Sequence, residues 1–515
     1  MSDNQKSSLA LWNRRSVLKA TIAAATAPAF PGALLAQDAP KRGGHLILGL
    51  EGSSTSDSLN PLKTLGTFQN TLNNQWGNCL VELGADGKLM PELAESWEPN
   101  DEANKWTFKL RKGVQFHNGK EMTSKDVLYS LRFHYGKDTK SPVRAFLTTL
   151  KEITAPSAYE VVVEFQQPNA DAPYIFSDHH VIIIPEGADI GSGIGTGGYV
   201  IDTFQAGVRV LAKRNPNYWK ENAGFVDSIE TIGINDATAR LGALQSGAVH
   251  FINRIDPKLV PMLRVSGLID VIELPSSGFY YYPMQVTKAP FDNKDFRLAL
   301  KYALDREKMI KLVMSGFGQL GNDQPISPLD PYYAADIPQR PHDPEKAAFH
   351  LKRSGIAAPI ELAVSEASFP NAESAASLFQ EDCSTAGINM QVKRVPSDGY
   401  WSSVWMKTPF CGSFGTGRPS ADMTLSMGFM TGANWNDQFW SSERFDKVVN
   451  EARAELDVTK RKALYHEAQS LIQEDAGMIL PVFNTLLFGS AKNVKGLRPT
   501  PVFGGYRISE QLYFV

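Results

Sequence analysis

The chain has 515 residues, of which 43% are hydrophobic, and its 52 lysines and arginines against 55 aspartates and glutamates give a net charge of −3. A chain of this length can bury apolar cores for two or three domains. The slightly acidic balance excludes the strongly basic surface that nucleic acids or anionic membranes would attract. We therefore expect a globular protein with no nucleic-acid partner.

Two adjacent arginines, Arg14 and Arg15, stand before a short apolar stretch that ends in "ALLA" (33–36). Charged, apolar and small-residue parts in this order are typical of an export signal. The arginine pair and the residues after it resemble a twin-arginine signal. We predict a signal over residues 1–36, with cleavage after Ala29 as the alternative.

Pro28 and Pro31 interrupt this apolar stretch, which is also shorter than the ~20 residues needed to cross a bilayer. A membrane anchor is therefore not expected. Removal of the segment takes away four basic residues and one acidic residue, so the mature chain is more acidic still. The signal predicts a soluble protein of the periplasm.

Cys79, Cys383 and Cys411 are the three cysteines, and an odd number of thiols cannot all pair. A disulfide between Cys383 and Cys411 is one alternative in an oxidising compartment. Three buried free thiols are the other, because cysteine behaves as a small hydrophobic residue. The sequence leaves both open.

The first half of the chain begins with a clear strand and a clear helix. In residues 104–116, Trp106, Phe108 and Leu110 alternate with polar residues, which is the period of a half-buried strand. Residues 123–131 open with Thr-Ser-Lys-Asp, the spacing of a capping box, and predict a helix.

Strands and helices continue to alternate farther along the chain. Residues 159–165 and 180–185 are rich in valine and isoleucine and predict strands. Residues 291–316 predict one long amphipathic helix, and residues 459–474 predict another. This alternation favours an α/β fold.

Catalytic and metal-binding patterns are weak. Gly193, Gly195 and Gly198 have G-x-G-x-x-G spacing, but the residues after them predict a strand where a dinucleotide-binding loop needs a helix. His179 and His180 are adjacent, and neighbours on a strand point to opposite faces, so they are not expected to bind a metal together. Neither a nucleophile elbow nor a His-Glu-x-x-His pattern occurs. We expect no catalytic activity, no metal and no cofactor.

Tryptophan and tyrosine cluster beside polar residues in segments 278–283, 399–407 and 432–440. Aromatic platforms with a few polar groups suit a cleft that binds a small organic ligand. Ordinary core packing is the alternative for each residue. The candidate ligand contacts in these segments are Tyr281, Trp401, Trp435 and Asn436.

Several segments resemble, in order, the large extracytoplasmic solute-binding proteins of ABC importers, the class that includes oligopeptide, dipeptide and nickel binders. The most specific are "GKLMPELAESWE" (87–98) and "WTFKLRKGVQFHNGKEMTSKDVLYS" (106–130). "NPNYW" (215–219) also matches. "APFDNKDFRLALKYALDRE" (289–307) resembles the start of the second lobe. The resemblance covers essentially the whole mature chain.

The resemblance implies an α/β fold of two lobes joined by a hinge, with an extra subdomain in the first lobe. The first lobe would comprise residues 41–278, with the subdomain at about 80–190. The second lobe would comprise residues 279–484, and residues 485–515 would return to the first. Because a ligand contacts both lobes only when they close, binding would favour the closed form, which a permease can recognise.

The resemblance also implies ligand contacts. In peptide-binding relatives a segment after the first strand touches the ligand, and here it corresponds to residues 65–68, with Thr67 and Phe68 as candidates. A tryptophan in the relatives' pocket is similar in placement to Trp401. Relatives also carry an aspartate that pairs with the ammonium group of the peptide, in a segment matched here by "FGTGRPSAD" (414–422).

Arg418 stands where those relatives have the aspartate. A guanidinium repels an ammonium but offers a planar fork to carboxylate or phosphate oxygens. We hypothesise that Thr416, Gly417 and Arg418 bind an anionic group of a peptide held differently, of an opine-like conjugate or of another acidic metabolite. Asp422 would meet a cationic group. The alternative is that Arg418 forms an internal ion pair with Asp422.

These observations predict a monomeric periplasmic substrate-binding component of a peptide-type ABC importer, which delivers its ligand to a membrane permease. Binding of opines, sugar acids, saccharides, haem or nickel stays an alternative within the same class. A periplasmic sensor is a further alternative. A secreted enzyme is a distant one, and a cleft without a perturbed acid–base pair would argue against it.

Overall fold

The computed structural model describes most of the chain after the predicted signal. The described residues are 40–515 without 65, 137, 398, 499, 501 and 503–506. The predicted signal at 1–36 lies outside them. Among the described residues, no helix combines the length and the apolar character that crossing a membrane requires.

Helices and strands alternate along the chain, so the predicted α/β class is confirmed. The strands are β1 (His45–Leu50), β2 (Val81–Leu83), β3 (Leu89–Pro91), β4 (Ala94–Pro99), β5 (Lys105–Leu110), β6 (Leu150–Ser157), β7 (Glu160–Phe165), β8 (Tyr199–Gln205), β9 (Arg209–Arg214), β10 (Ser228–Gly233), β11 (Phe251–Ile252), β12 (Ile269–Pro283), β13 (Gln319–Leu320), β14 (Ile360–Val364), β15 (Met390–Arg394), β16 (Ser413–Gly415), β17 (Met478–Ala491), β18 (Val494–Lys495) and β19 (Tyr513–Phe514). The α-helices are α1 (Thr67–Trp76), α2 (Ser124–Leu131), α3 (Ala172–Ile175), α4 (Ala237–Gln245), α5 (Val260–Ser266), α6 (Lys294–Ala303), α7 (Arg306–Leu312), α8 (Pro344–Ser354), α9 (Ala372–Thr385), α10 (Tyr400–Ser403), α11 (Ala421–Gly428), α12 (Glu443–Ala454), α13 (Val458–Asp475) and α14 (Ile508–Gln511). Short 3₁₀ helices lie at Pro61–Lys63, Arg144–Leu147 and Pro257–Leu259.

The largest sheet has nine strands in the order β16-β12-β17-β11-β1-β10-β9-β8, with β13 also paired to β17. Strands β12 and β17 have 15 and 14 residues, more than twice the usual ~5–6. They pair in antiparallel orientation and belong to different cores at their two ends, because Ile269 lies in one hydrophobic cluster and Tyr282 in another. The two strands therefore carry the chain from one lobe to the other.

The pairing of β12 with β17 is interrupted at one point. Pro275 and Phe279 pair with residues only two apart on β17, so residues 276–278 lie opposite Asn484 alone. Extra residues on one strand break the regular ladder and bend it. We interpret residues 276–278 as the hinge.

We call the part built on β1 and β8–β11 the first lobe, and the part built on β14, β15 and α6–α13 the second lobe. A separate antiparallel sheet, β4-β5-β7-β6, forms a subdomain of the first lobe. Its own core includes Trp106, Phe108 and Val163, and the capping box of Thr123 and Asp126 opens its helix α2. The lobe boundaries at 41–278, 279–484 and 485–515 stay predictions.

One predicted strand is absent. Residues 180–185 are buried but belong to no sheet, because their backbone N–H groups bind elsewhere. Ile183 donates to the Asn78 carbonyl at 3.1 Å, and Ile184 donates to the Ser130 hydroxyl at 2.8 Å. The prediction of a strand for this segment is therefore wrong.

The helix predicted over residues 291–316 is two helices, α6 and α7. The break comes at Leu304, whose backbone is extended, and Asp305 then caps α7 by accepting a hydrogen bond from the Lys308 N–H. An aspartate at this position favours a new helix start over continuation.

The three cysteines are buried and have free thiols. The alternative of three buried free thiols is confirmed. A disulfide between Cys383 and Cys411 is not formed.

A buried ion cluster anchors α7 in the second lobe. The Asp323 carboxylate lies 2.6 Å from Arg306 and 2.8 Å from Arg340. Burial opposes ionisation of Asp323, but Arg306 and Lys301 outweigh burial and lower its pKa. This carboxylate therefore stabilises the fold above its unfolded pKa of about 3.9, and the contribution is lost as the pH falls through the folded value.

We expect Asp323→Asn to lower the free energy of unfolding by roughly 3 to 5 kcal/mol, because two buried guanidinium groups lose their counter-charge. Asparagine tolerates the positive φ of 56° at this position. Urea unfolding at pH 7 measures the loss. The matched control is Asp336→Asn, whose side chain is 80% exposed and should cost less than about 1 kcal/mol. Equal losses in the two variants would contradict the assignment.

Candidate ligand-binding site

A cavity of about 80 Å³ lies between the subdomain and the second lobe, and we call it the Arg418 cavity. Residues 177–180 line it from the subdomain, and residues 416–419 line it from the second lobe. Of the predicted ligand contacts, it brings together Thr416, Gly417 and Arg418. Its other lining residues are Asn74, Glu82, Leu83, Val502 and Arg507.

Gly417 places this loop against the hinge. Its φ is +69°, and a Cβ atom at this position would lie 2.4 Å from the Ser277 Oγ. Glycine alone tolerates both conditions without strain. Because Ser277 is a hinge residue, the hinge and the loop that carries Arg418 are in direct contact.

The Arg418 side chain lies over Trp435, with its Cζ 4.9 Å from the ring centroid. A guanidinium in this position gains a cation–π attraction that also fixes its plane. Burial lowers the pKa of Arg418, and the Asp178 carboxylate opposes the shift, so the group stays charged at neutral pH.

The alternative of an internal ion pair between Arg418 and Asp422 is not formed. Asp422 binds Arg453 instead, at 3.0 Å. No carboxylate among the described residues forms an ion pair with Arg418. A half-buried charge without a counter-ion is unfavourable, so an anion that enters this cavity meets an unpaired cation.

Asp178, His179 and His180 form a cluster that the sequence analysis missed. They lie in a turn after α3 and not on a strand, and the two imidazole rings are 4.0 Å apart. This corrects the expectation that the histidines point to opposite faces. A turn signal in "SDHH" was the available clue, because aspartate favours turns.

The two histidines have opposite electrostatic environments. His180 Nδ1 lies 2.5 Å from Asp178 Oδ1, and its Nε2 lies 3.3 Å from the Thr64 carbonyl oxygen. Burial opposes protonation of His180, but Asp178 outweighs burial and raises its pKa. Burial and the neighbouring His180 lower the pKa of His179 to about 3. The cavity therefore has an Asp178–His180 pair that favours the charged form of His180, beside the neutral imidazole of His179.

This cluster has the donor atoms of a transition-metal site, all within 4.8 Å of one another. Two features oppose metal binding: both His180 nitrogens already have partners, and Arg418 adds a positive charge. The described residues of this cluster do not form a serine–histidine–aspartate triad either. The Ser177 hydroxyl donates to the Tyr174 carbonyl at 2.8 Å, whereas a triad needs it on a histidine nitrogen.

The other charged groups of the Arg418 cavity are paired. Glu82 lies 2.7 Å from Lys220 and 3.4 Å from Arg507. Burial opposes ionisation of Glu82, but these cations hold its pKa at about 2. Arg418 is thus the lining cation without a carboxylate partner in the described part of the chain.

Four of the predicted ligand contacts pack or form hydrogen bonds within the protein itself. Thr67 begins α1, and Phe68 is fully buried in the core of the first lobe. The Tyr281 hydroxyl donates to Asp437 at 2.6 Å. The Asn436 amide donates to carbonyl oxygens of its own loop. None of these four lines the Arg418 cavity, and their role as ligand contacts stays a prediction.

The two predicted tryptophans are partly exposed, Trp401 at 39% and Trp435 at 48%. Trp401 packs edge-on against Phe414, with ring centroids 5.3 Å apart. The Trp435 ring contacts the Arg418 side chain, which in turn lines the Arg418 cavity. The walls of the Arg418 cavity combine polar and apolar residues, and neither tryptophan is among them, so an aromatic-walled pocket stays a prediction.

A second cavity, of about 480 Å³, also lies between the subdomain and the second lobe. We call it the second cavity. Asp422 lies in its wall, paired with Arg453. The residues that line it are Phe146, Thr148, Thr149, Gln167, Pro168, Asn169, Asp171, Ile175, Asp422, Met423, Ser426, Asn450 and Arg453.

The subdomain and the second lobe also touch directly beside this cavity. The Ala170 N–H donates to the Arg453 carbonyl oxygen at 2.7 Å. Asp171 and Arg461 form a buried ion pair. The cleft between the two parts is therefore closed in this structure.

Residues 88–437, more than half of the chain, match the model of a protein family described as "Bacterial extracellular solute-binding proteins, family 5 Middle". The chain belongs to this family. This solute-binding protein is 26% identical over 523 residues to the di/tripeptide-binding protein 1 of Pseudomonas aeruginosa, a match that covers 94% of this chain and 97% of that protein.

Solved structures confirm the fold of this solute-binding protein. HbpA2 from Haemophilus parasuis is 22% identical, with a TM-score of 0.80 over 92% of this chain and 100% of that one. The periplasmic binding protein DppA from Helicobacter pylori, in complex with the peptide STSA, is 20% identical, with a TM-score of 0.76 over 92% and 98%. The resemblance and the two-lobed fold predicted from sequence are confirmed.

We expect the two adjacent histidines to titrate far apart in NMR spectra of the mature protein. His180 should titrate above its ordinary pKa of about 6.5, because Asp178 stabilises its charged form. His179 should stay neutral down to about pH 3. The variants His179→Gln and His180→Gln assign the resonances. Two histidines titrating together near pH 6.5 would contradict the described cluster.

Proposed function

We propose that this solute-binding protein captures small acidic organic solutes, peptides among them, in the periplasm and delivers them to the permease of an ABC importer. The observation that carries the proposal is the Arg418 guanidinium, which has no ion-pair partner among the described residues and lines a cavity between the subdomain and the second lobe. The di/tripeptide-binding relative supports peptides as one ligand class. Opines and sugar acids share the required anionic group.

The chemistry of Arg418 favours a carboxylate or phosphate over an ammonium group. Its planar fork donates two parallel hydrogen bonds to such an anion. Trp435 below the guanidinium holds its plane, and Gly417 fixes the backbone beside it. The neutral His179 lines the opposite side of the cavity and offers a hydrogen bond to the same anion.

Binding of the ligand across the cleft explains how the protein delivers it to the permease. An anion on Arg418 contacts the subdomain only when the cleft is closed, so the ligand favours the closed form. Two chain crossings at β12 and β17 allow nearly rigid movement of the lobes. The permease then recognises the closed form, and opening at the membrane releases the ligand.

No covalent step is part of this proposal, and we propose a monomer without catalytic activity. The perturbed groups in the Arg418 cavity, Asp178 and His180, satisfy each other. Ser177 is bonded to a backbone carbonyl. These contacts support ligand binding over acyl-transfer chemistry.

We also propose that residues 1–36 act as a twin-arginine signal. Replacing Arg14 and Arg15 by lysine should leave the folded protein in the cytoplasm, because the arginine pair is the recognised element. Cell fractionation measures the distribution. Lys6→Gln, which leaves the pair intact, is the control and should export normally. Normal export of the double variant would contradict this route.

We expect Arg418→Ala to weaken binding of acidic solutes by about 10- to 100-fold, because hydrogen bonds to a charged group contribute about 1.5–3 kcal/mol. Arg418→Lys keeps the charge but loses the fork, so its loss should be intermediate. Thermal-shift screening of the refolded mature protein finds a ligand, since a bound ligand raises the melting temperature, and calorimetry measures its affinity.

The control for this experiment is Arg394→Ala, whose side chain is 64% exposed and pairs with Glu373. It should bind as the wild type does. Unchanged affinity of Arg418→Ala for every ligand found would overturn the proposed role of Arg418.

A further inference from the structure

We infer that the second cavity binds an uncharged polar part of the ligand, so that the solute combines an anionic end with a neutral, hydrogen-bonding body. This inference rests on the proposed function, because Arg418 takes the anionic end. It narrows the ligand to acidic solutes such as sugar acids or N-blocked peptides. Free zwitterionic peptides fit less well.

The two cavities lie along the same boundary between subdomain and second lobe. On the subdomain side, Ile175 lines the second cavity and Ser177 lines the Arg418 cavity. On the second-lobe side, Asp422 lines the second cavity and Pro419 lines the Arg418 cavity. These neighbours are two and three residues apart, which limits their separation to roughly 10 Å at ~3.5 Å per residue. The two cavities therefore lie within the length of one small extended ligand.

The sizes of the two cavities suit different parts of a ligand. The Arg418 cavity, at about 80 Å³, has room for a single small group such as a carboxylate. The second cavity, at about 480 Å³, is far larger than the roughly 10–15 Å³ that one water needs. It has room for the body of a small organic molecule.

The charges in the wall of the second cavity are already neutralised. Asp422 accepts from Arg453 at 3.0 Å and from Ser426 at 3.1 Å. Asp171 pairs with Arg461. Desolvating an ammonium or a carboxylate here is costly, because neither finds an unpaired counter-charge among the described lining residues.

Beside apolar residues such as Phe146, Ile175 and Met423, the remaining wall offers neutral hydrogen-bonding groups. Thr149, Gln167 and Asn450 contribute a hydroxyl and two amides at partly or fully exposed positions. Such groups donate to and accept from amides and hydroxyls. A few polar groups of this kind set the orientation of a bound ligand. The wall therefore selects a neutral polar body and disfavours a free ammonium group.

The first test compares matched ligands on the refolded mature protein. The panel contains dipeptides with free and with acetylated N-termini, together with six-carbon sugar acids, in thermal-shift and calorimetric assays at pH 7. We expect acetylated dipeptides or sugar acids to bind at least 10-fold more tightly than the free dipeptides. Tighter binding of free dipeptides, or no binding by any blocked or sugar-acid member, would overturn the inference.

The second test uses a variant in which a larger side chain reduces the volume of the second cavity. Thr149→Leu should weaken binding of the best panel ligand by at least 10-fold, because the larger apolar side chain fills space and removes a hydroxyl. The control is Thr154→Leu on β6, which is similarly half-buried but does not line the cavity. It should bind normally. Melting temperatures without ligand show whether both variants fold.

A comparison of Thr149→Leu with Arg418→Ala separates this inference from the proposed function. If Arg418→Ala loses affinity while Thr149→Leu binds as the wild type does, acidic-solute binding stands and the assignment of the second cavity fails. If Arg418→Ala binds as the wild type does, both fail.

Discussion

Strands β12 and β17 are the constraint on which the rest of the structure depends. They pair over most of their length and carry the chain between the lobes, and residues 276–278 interrupt that pairing. The loop that presents Arg418 lies directly against this interruption, since Gly417 leaves no room for a Cβ atom beside Ser277. The hinge and the candidate site are therefore parts of one local arrangement.

Arg418 differs from the other charged residues of the cleft in its electrostatic pairing. Buried charges elsewhere in the cleft have partners: Glu82 with Lys220, Asp171 with Arg461, and Asp422 with Arg453. In each of these pairs the counter-charge offsets part of the desolvation cost. Within the described part of the chain, Arg418 contacts the Trp435 ring and has the Asp178 carboxylate at longer range. A bound anion would supply the missing partner, so the same interaction gives affinity, selectivity for acidic solutes and a preference for the closed cleft.

Sequence patterns predicted the parts of the fold that depend on local order. The alternation of Trp106, Phe108 and Leu110 and the capping box of α2 reflect contacts within a few residues, and both are confirmed. The apolar run at 180–185 looked like a strand, but a strand also needs a pairing partner, which sequence does not specify. In the same way, Asp305 starts a new helix where the apolar periodicity alone predicted continuation.

The candidate site was only partly predictable. Resemblance located residues 416–418, but the opposite wall comes from residues 177–180, more than two hundred positions earlier, and only folding brings the two together. Arg418 and Asp422 are four positions apart, a spacing at which side chains on one helix meet. Helix α11 begins at Ala421, with Ser420 as its cap, so Arg418 precedes the helix and the spacing does not apply.

The most direct measurement is a crystal structure of the mature protein purified from the periplasm with the solute it retains. We predict a carboxylate or another anionic group within hydrogen-bonding distance of the Arg418 guanidinium, in a closed cleft. A bound solute whose cationic or neutral group faces Arg418, or a guanidinium turned away from the solute, would contradict the account.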